Sequence, residues 1–167
     1  FTTDDREAAR AAAEYLIRSG HRKIGIVCGS AVSEAGLIGS KRVDSAITAF
    51  KENKIPFDKR KQFVPGKFSL EDGYNGTMKL LDRYPEVTAI YAVSDVVAIG
   101  ALRAINDRNL KVPQDISIIG NDGIDFARYV TPRLATVEQD VSQLAKRSVD
   151  DLLLRLNYNK PVIHEII

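Results

Sequence analysis

The stretch Thr88-Ala89-Ile90-Tyr91-Ala92-Val93-Ser94-Asp95-Val96-Val97-Ala98-Ile99-Gly100-Ala101-Leu102 decides the fold. Ala89 to Val93 is an unbroken apolar run, the signature of a strand buried on both faces, as in a parallel sheet. Ser94 and Asp95 interrupt it. Beyond them Val97, Ile99, Ala101, Leu102 and Ile105 recur at helical spacing, so residues 95–109 read as a helix. A buried strand running into a helix within two residues is half of a β-α-β unit.

The same alternation extends in both directions. Downstream, Ile116-Ser117-Ile118-Ile119-Gly120 reads as another buried strand, Leu134-Ala135-Thr136-Val137 as a short extended piece, residues 142–157 as a helix, and residues 162–167 as a last extended segment. Upstream, Ala8, Ala9, Ala12, Ala13, Leu16 and Ile17 mark a helix that Thr3 or Asp4 can cap and Gly20 ends. Lys23 to Cys28 is a strand closed by Gly29, and residues 41–53 read as a helix with Val43, Ala46, Ile47 and Phe50 on one face. Phe63-Val64 is a weaker strand before Pro65-Gly66, and Ser69 opens a helix that stops before Pro85. Strands alternating with helices through short turns give an α/β fold, a doubly wound and mostly parallel sheet. The small, polar stretch 30–40 reads as a mobile loop.

Composition narrows the function. The 167 residues are 44% hydrophobic and 28% charged, as in a folded domain, and a net charge of +2 leaves no polybasic arm. One cysteine, Cys28, and two histidines, His21 and His164, provide neither a disulfide nor a metal cluster. Cys28 reads as a small buried apolar residue and His21 as a helix-terminal hydrogen-bonding group. No run reaches the ~20 apolar residues of a membrane span, and the first residues do not read as an export signal. Glycine-rich dinucleotide, phosphate-loop and nucleophile-elbow motifs are absent, so no enzyme and no cofactor is expected.

In an open parallel sheet, ligands bind beyond the carboxyl ends of the strands. The loops there carry Arg42, Phe68, Ser94, Asp95, Asn121, Asp122, Asp125 and Gln139. A guanidinium and carboxylates can hold hydroxyls through charge-assisted hydrogen bonds, and an aromatic face can stack on a sugar or a base. Plainer roles stand beside these. Ser94 or Asp95 can cap the following helix, Asp122 and Asp125 can form turns, and Phe68 can be core. Arg42 near a helix start opposes the helix dipole, which calls for a buried partner or an anionic or polyol ligand.

Four strings together resemble the LacI/GalR family of bacterial transcription regulators: Tyr15 to Gly25 (YLIRSGHRKIG), Ser94 to Leu102 (SDVVAIGAL), Leu110 to Asp122 (LKVPQDISIIGND) and Tyr129 to Gln139 (YVTPRLATVEQ). The resemblance implies a periplasmic-binding-protein-like fold, chiefly its C-terminal subdomain over residues 1–137. Residues 138–167 would be a returning hinge segment, helix and final strand. The DNA-binding headpiece and most of the N-terminal subdomain would lie outside the sequence.

The resemblance assigns effector binding to Arg42, Phe68, Ser94, Asp122 and Gln139, with Asp95, Asn121 and Asp125 as supports. Ser94 stands where the family often has Asn, and Asn121 where it often has an aromatic. It further implies a cytoplasmic homodimer whose seam uses residues 68–81 or 96–102. Its effector would be a sugar or sugar phosphate, and operator DNA would be reached only through the headpiece. The alternative is a periplasmic sugar-binding protein of a transport system; a nucleoside-processing enzyme is a third reading.

Overall fold

The computed structural model describes residues 2–29, 38–158 and 166. The chain divides into two compact units, Asp5–Glu138 and the combination of Phe1–Asp4 with Gln139–Ile167.

The larger unit runs α1 (Asp5–Arg18), β1 (Ile24–Val27), α2 (Ile38–Glu52), α3 (Lys59–Gln62), β2 (Phe63–Val64), α4 (Leu70–Arg83), β3 (Ala89–Ala92), α5 (Asp95–Asp107), β4 (Ser117–Asp122), a 3₁₀ turn (Asp125–Arg128) and β5 (Ala135–Glu138). The strands form one parallel sheet in the order β2-β1-β3-β4-β5. Chain order reverses between β1 and β3, so two successive crossovers leave in opposite directions there. A crevice opens at such a point beyond the strands' carboxyl ends.

Side-chain alternation decides which helix covers which face. A Cβ on Gly25 would meet Leu80 of α4, and one on Gly120 would meet Asp95 of α5. That face therefore lies under α4 and α5. Ile26, Tyr91 and Ile119, aligned across β1, β3 and β4, point to the opposite face, beneath α1 and α2. The core of the unit is apolar and almost wholly buried on both faces, with Phe50, Leu16, Leu80, Ile90 and Ile105 among its largest members. α4 and α5 approach closely because Gly73 and Gly100 face each other's backbones. A Cβ on Gly100 would come within 2.1 Å of the Leu70 carbonyl oxygen.

Several boundaries differ from the sequence reading. β4 continues two residues past Gly120, because Asn121 and Asp122 pair with Val137 and Glu138. α2 begins at Ile38, so residues 38–40 of the supposed loop are helical, and residues 30–37 of it lie outside the described residues. α3 and the 3₁₀ turn, four residues each, are too short to leave a periodic signal.

The smaller unit contains α6 (Val141–Tyr158) and a parallel bridge between Thr2 and Ile166. The rest of the expected final strand, residues 162–165 and 167, lies outside the described residues. On α6, Leu152, Leu153 and Leu156 are exposed. Among the described residues no helix is long and apolar enough to cross a membrane.

Candidate functional site

Arg42, on the second turn of α2, is 4% exposed, and a buried guanidinium needs acceptors on its nitrogens. It has them on all three. Nε and Nη2 donate to Asp5 Oδ1 at 2.9 and 2.8 Å. Nη1 donates to the Val93 carbonyl oxygen at 2.7 Å and to Asp122 Oδ1 at 2.8 Å. The Asn121 amide, with its carbonyl end toward Arg42, lies 3.1, 2.9 and 3.2 Å from the three nitrogens. An atom nearly equidistant from all three sits over the face of the guanidinium, not in its plane. Arg42 thus joins α1, α2, β3 and β4 at the point where strand order reverses.

Asp122 ends β4 in an unusual backbone conformation, with φ +148°, followed by Gly123 at φ +77°. Non-glycine residues pay roughly 1–3 kcal/mol to occupy that region. Asp95 holds the turn. Its Oδ2 accepts from the backbone N–H of Gly123 at 2.8 Å and of Ile124 at 2.9 Å, while Oδ1 accepts from the Thr136 hydroxyl at 2.6 Å. Asp95 is fully buried, and Gly120 leaves room for it: a Cβ there would come within 2.2 Å of Asp95 Oδ1.

Charge and burial compete in this corner. Burial opposes the charge of Arg42, but Asp122 and Asp5 outweigh it, and the guanidinium pKa is raised. Asp122 goes the other way for a carboxylate. Burial lifts its pKa above the ordinary value and the Asp95 charge adds to this, against the pull of Arg42. Arg42 is shared with Asp5, so Asp122 receives only part of its field. The Tyr91 phenol is fully buried and, among the described residues, has no hydrogen-bond partner, and burial raises its pKa strongly.

Ser94 is the N-cap of α5 and accepts from the Val97 N–H at 3.3 Å. Phe68 is 45% exposed, on the connection from β2 to α4, so it is not core. It shares the carboxyl-end rim with Asp122, but β2 and β4 stand three strand spacings apart, about 14 Å. Asp125 is exposed at the start of the 3₁₀ turn. Gln139 belongs to the smaller unit, is half-buried, and its backbone carbonyl accepts from Val141 N–H at 2.8 Å.

Sequence reasoning missed Asp5 and Thr136. Asp5 reads as an ordinary acidic residue in the first turn of a helix. The signal for it was indirect: Arg42 called for a buried partner, and Asp5 is one. His21 does more than its reading assigns. Its backbone N–H does bond the end of α1, at the Leu16 carbonyl (3.1 Å), and its ring in addition bridges the Thr88 hydroxyl (Nδ1, 3.1 Å) and the Ser117 hydroxyl (Nε2, 3.0 Å), at the entry to β3 and on β4. Cys28 is buried, and burial, with Asp72 nearby, pushes its thiol pKa up to about 12. Among the described residues no group of three His, Cys, Asp or Glu side chains is placed to hold a metal ion.

The periplasmic binding protein-like domain family matches residues 13–167. The probable HTH-type transcriptional repressor ExuR of Bacillus subtilis is 36% identical over 151 residues, covering 90% of this chain and 44% of that protein. The ribose operon repressor of Haemophilus influenzae is 37% identical over 145 residues, covering 87% of this chain and 42% of that protein. The chain therefore spans less than half the length of these relatives.

Among solved structures, a complex of the transcriptional regulator CelR with cellobiose superposes with a TM-score of 0.89 at 25% identity, over 99% of this chain and 50% of that one. A LacI family regulator from Enterococcus faecium with bound ribose gives a TM-score of 0.81 at 30% identity, over 96% of this chain and 57% of that one. With this family matching nearly its whole length, and with repressors among its sequence relatives and LacI family regulators among the structures it resembles, the chain belongs to the periplasmic binding protein-like domain family.

Proposed function

We propose that this chain is the effector-binding and dimerisation part of a LacI/GalR-type transcriptional repressor. Residues 1–137 would form the C-terminal subdomain and 138–167 the returning segment. The observation that carries the reading is the Arg42–Asp122 ion pair, 2.8 Å long, at the carboxyl end of the sheet where strand order reverses. Ligands of open α/β sheets gather at that position. Asp122 offers a partly exposed carboxylate held in a strained turn, a costly arrangement that is well suited to accepting hydrogen bonds from hydroxyls. Phe68 offers an exposed ring on the same rim for stacking. Gln139 and Ser94 would complete the contacts, with Asp95, Asn121 and Asp125 behind them.

The mechanism is linkage. An effector that favours one arrangement of the subdomains shifts the population between operator-binding and operator-free forms, by a coupling of ~1–3 kcal/mol in typical cases. No turnover is required. DNA contact would belong to a headpiece, and the protein would act in the cytoplasm as a homodimer. The repressors among its relatives favour this reading over the transport protein. The test is isothermal titration of the intact protein with neutral sugars, sugar phosphates and nucleobases. Binding with a 1:1 stoichiometry per chain, weakened at least tenfold by Asp122→Ala, is expected. An Asp122→Ala variant that binds as tightly as the native protein overturns the site.

A further inference from the structure

Positive charge is concentrated on one edge of the larger unit. Between Lys51 and Lys67 the sequence carries six cations and two acids, although the whole chain has a net charge of only +2. The two acids are engaged. Glu52 pairs with Arg10 at 2.6 Å, and the Asp58 side chain caps α3 by accepting from the Arg60 N–H at 2.9 Å. Lys59 lies over the Phe63 ring, 5.6 Å from its centroid. Lys51, Lys54, Arg60, Lys61 and Lys67 are exposed, and among the described residues no acid pairs with any of them.

Charges beside an edge strand deter pairing with another sheet, and β2, two residues long, is the edge here. That role leaves the neighbouring groove unexplained. Past the end of α2, Lys54 at φ +57° turns the chain so that the Ile55 N–H reaches the Phe50 carbonyl at 2.8 Å. A groove of about 330 Å³ opens there, lined by Ile47, Lys51, Lys54, Ile55, Pro56 and Phe57. Four of these are apolar and two are cations. Its size suits the anchoring side chain of a partner. Phe57 leads directly into α3, whose cap is Asp58, so the basic residues of α3 begin two positions from the groove. Arg42 is remote: Lys51 follows it by nine residues on α2, about 14 Å along the axis.

The groove discriminates among anionic partners. A nucleic-acid duplex would use the cations and leave the apolar lining uncovered. A single strand stacks its bases on free aromatic faces, but the Phe57 ring packs against Phe50 at 5.4 Å. A bilayer takes up protruding apolar side chains, whereas Ile55 is buried and Ile47 and Phe57 are half-buried. An acidic protein segment that carries an apolar residue matches both the charge and the lining. We propose that this groove docks such a segment of another protein, with an apolar side chain seated among Ile47, Ile55 and Phe57 and carboxylates facing Lys51, Lys54 and the basic residues of α3.

Fluorescence anisotropy on the full chain tests this with two labelled peptides of equal length and charge. One is a run of Glu and Asp interrupted by Leu and Phe; the other has Ser in place of the Leu and Phe. The apolar-bearing peptide is expected to bind at least tenfold more tightly than its Ser counterpart. Raising salt from about 50 to about 300 mM should weaken it at least fivefold, because screening weakens the attraction. Lys51→Gln combined with Lys54→Gln should also weaken it at least fivefold, with an unchanged circular dichroism spectrum. Lys111→Gln combined with Lys146→Gln, an equal loss of charge away from α2 and α3, should change it less than twofold.

No binding of either peptide, equal binding of both, insensitivity to salt, or equal weakening by the two variant pairs overturns the proposal. So does a DNA duplex, or a vesicle containing phosphatidylserine, that binds more tightly than the apolar-bearing peptide and loses that binding with Lys51→Gln and Lys54→Gln.

Discussion

Asp122 is held in place against its own preferences. Its backbone lies at φ +148°, its carboxylate is half-buried, and its partner Arg42 is shared with Asp5. Each of these costs stability, and neighbours offset it: Asp95 holds the Gly123 and Ile124 amides, and Arg42 pairs with the carboxylate. The pH consequence has a definite sign. Because the folded pKa lies above the ordinary carboxylate value, the native state binds more protons than the unfolded one in the interval between the two values. Asp122 therefore removes stability as pH rises through that interval above 3.8, and the loss is complete once pH exceeds the folded value. Asp122→Asn keeps the shape and removes the charge, while Arg42 retains Asp5. At pH 7 the variant should be as stable as the native protein or more so, by on the order of 0.5–1 kcal/mol, while losing effector affinity. Urea denaturation at pH 4 and pH 7 measures this. A variant less stable than the native protein at pH 7 by more than about 1 kcal/mol contradicts the account.

At the scale of elements, the two ends of the sheet are built differently. The carboxyl end carries charge and strain; the opposite end is fastened by His21, whose ring joins Thr88 and Ser117 where β3 and β4 begin. Ser117 pairs with Ala89, so the imidazole spans the same two strands that the backbone ladder joins. Removing it in His21→Ala leaves two half-buried hydroxyls short of a partner and should cost about 1–3 kcal/mol. Burial lowers the His21 pKa below 6.5, so the unfolded chain takes up a proton first as pH falls. The stability this group confers is complete above pH 6.5 and declines as pH drops through that value toward the folded pKa. Chemical denaturation at pH 5.5 and 7.5 should show a smaller pH dependence for His21→Ala than for the native protein; equal dependence would falsify the assignment.

The α4–α5 pair offers an independent test. Gly100→Ala forces a methyl against the Leu70 carbonyl and should cost about 1–3 kcal/mol, read as a lower urea midpoint. An unchanged midpoint contradicts the close approach. The elements themselves were legible from sequence, because buried strands and one-sided helices write long periodic patterns. The pairings at His21 and at Asp5 were not. A side chain that bonds across 96 residues, or a helix-start acid that pairs 37 residues away, leaves no local periodicity. What sequence offered instead was a misplaced charge at Arg42, which signals a partner without naming it.

For the whole molecule, the surface of the larger unit carries several exposed apolar side chains on which the proposed homodimer can be tested. Phe126 and Tyr129 are 71% and 82% exposed, and Leu70 at the start of α4 is 53% exposed. Ile99 and Arg103 of α5 border both a groove shared with Leu70 and Tyr74 and a cavity of about 760 Å³ that extends to Val130. Leu70, Tyr74 and Ile99 of this surface fall within residues 68–81 and 96–102, the candidate seam segments read from sequence. Isolated exposed apolar residues are ordinary, but a contiguous set marks an interaction surface. A symmetric dimer through this face would bury the set on both copies at once. Ile99→Glu places a carboxylate at its centre without touching the sheet. On the homodimer reading proposed above, sedimentation velocity should show a dimer for the native protein and a monomer for the variant at the same concentration, with an unchanged circular dichroism spectrum. The proposed effector corner lies at the carboxyl end of the sheet, with Arg42 on α2 and Asp122 on β4, so affinity per chain should change by less than about threefold, whereas any cooperativity between copies should disappear. A folded Ile99→Glu protein that remains dimeric places the seam elsewhere.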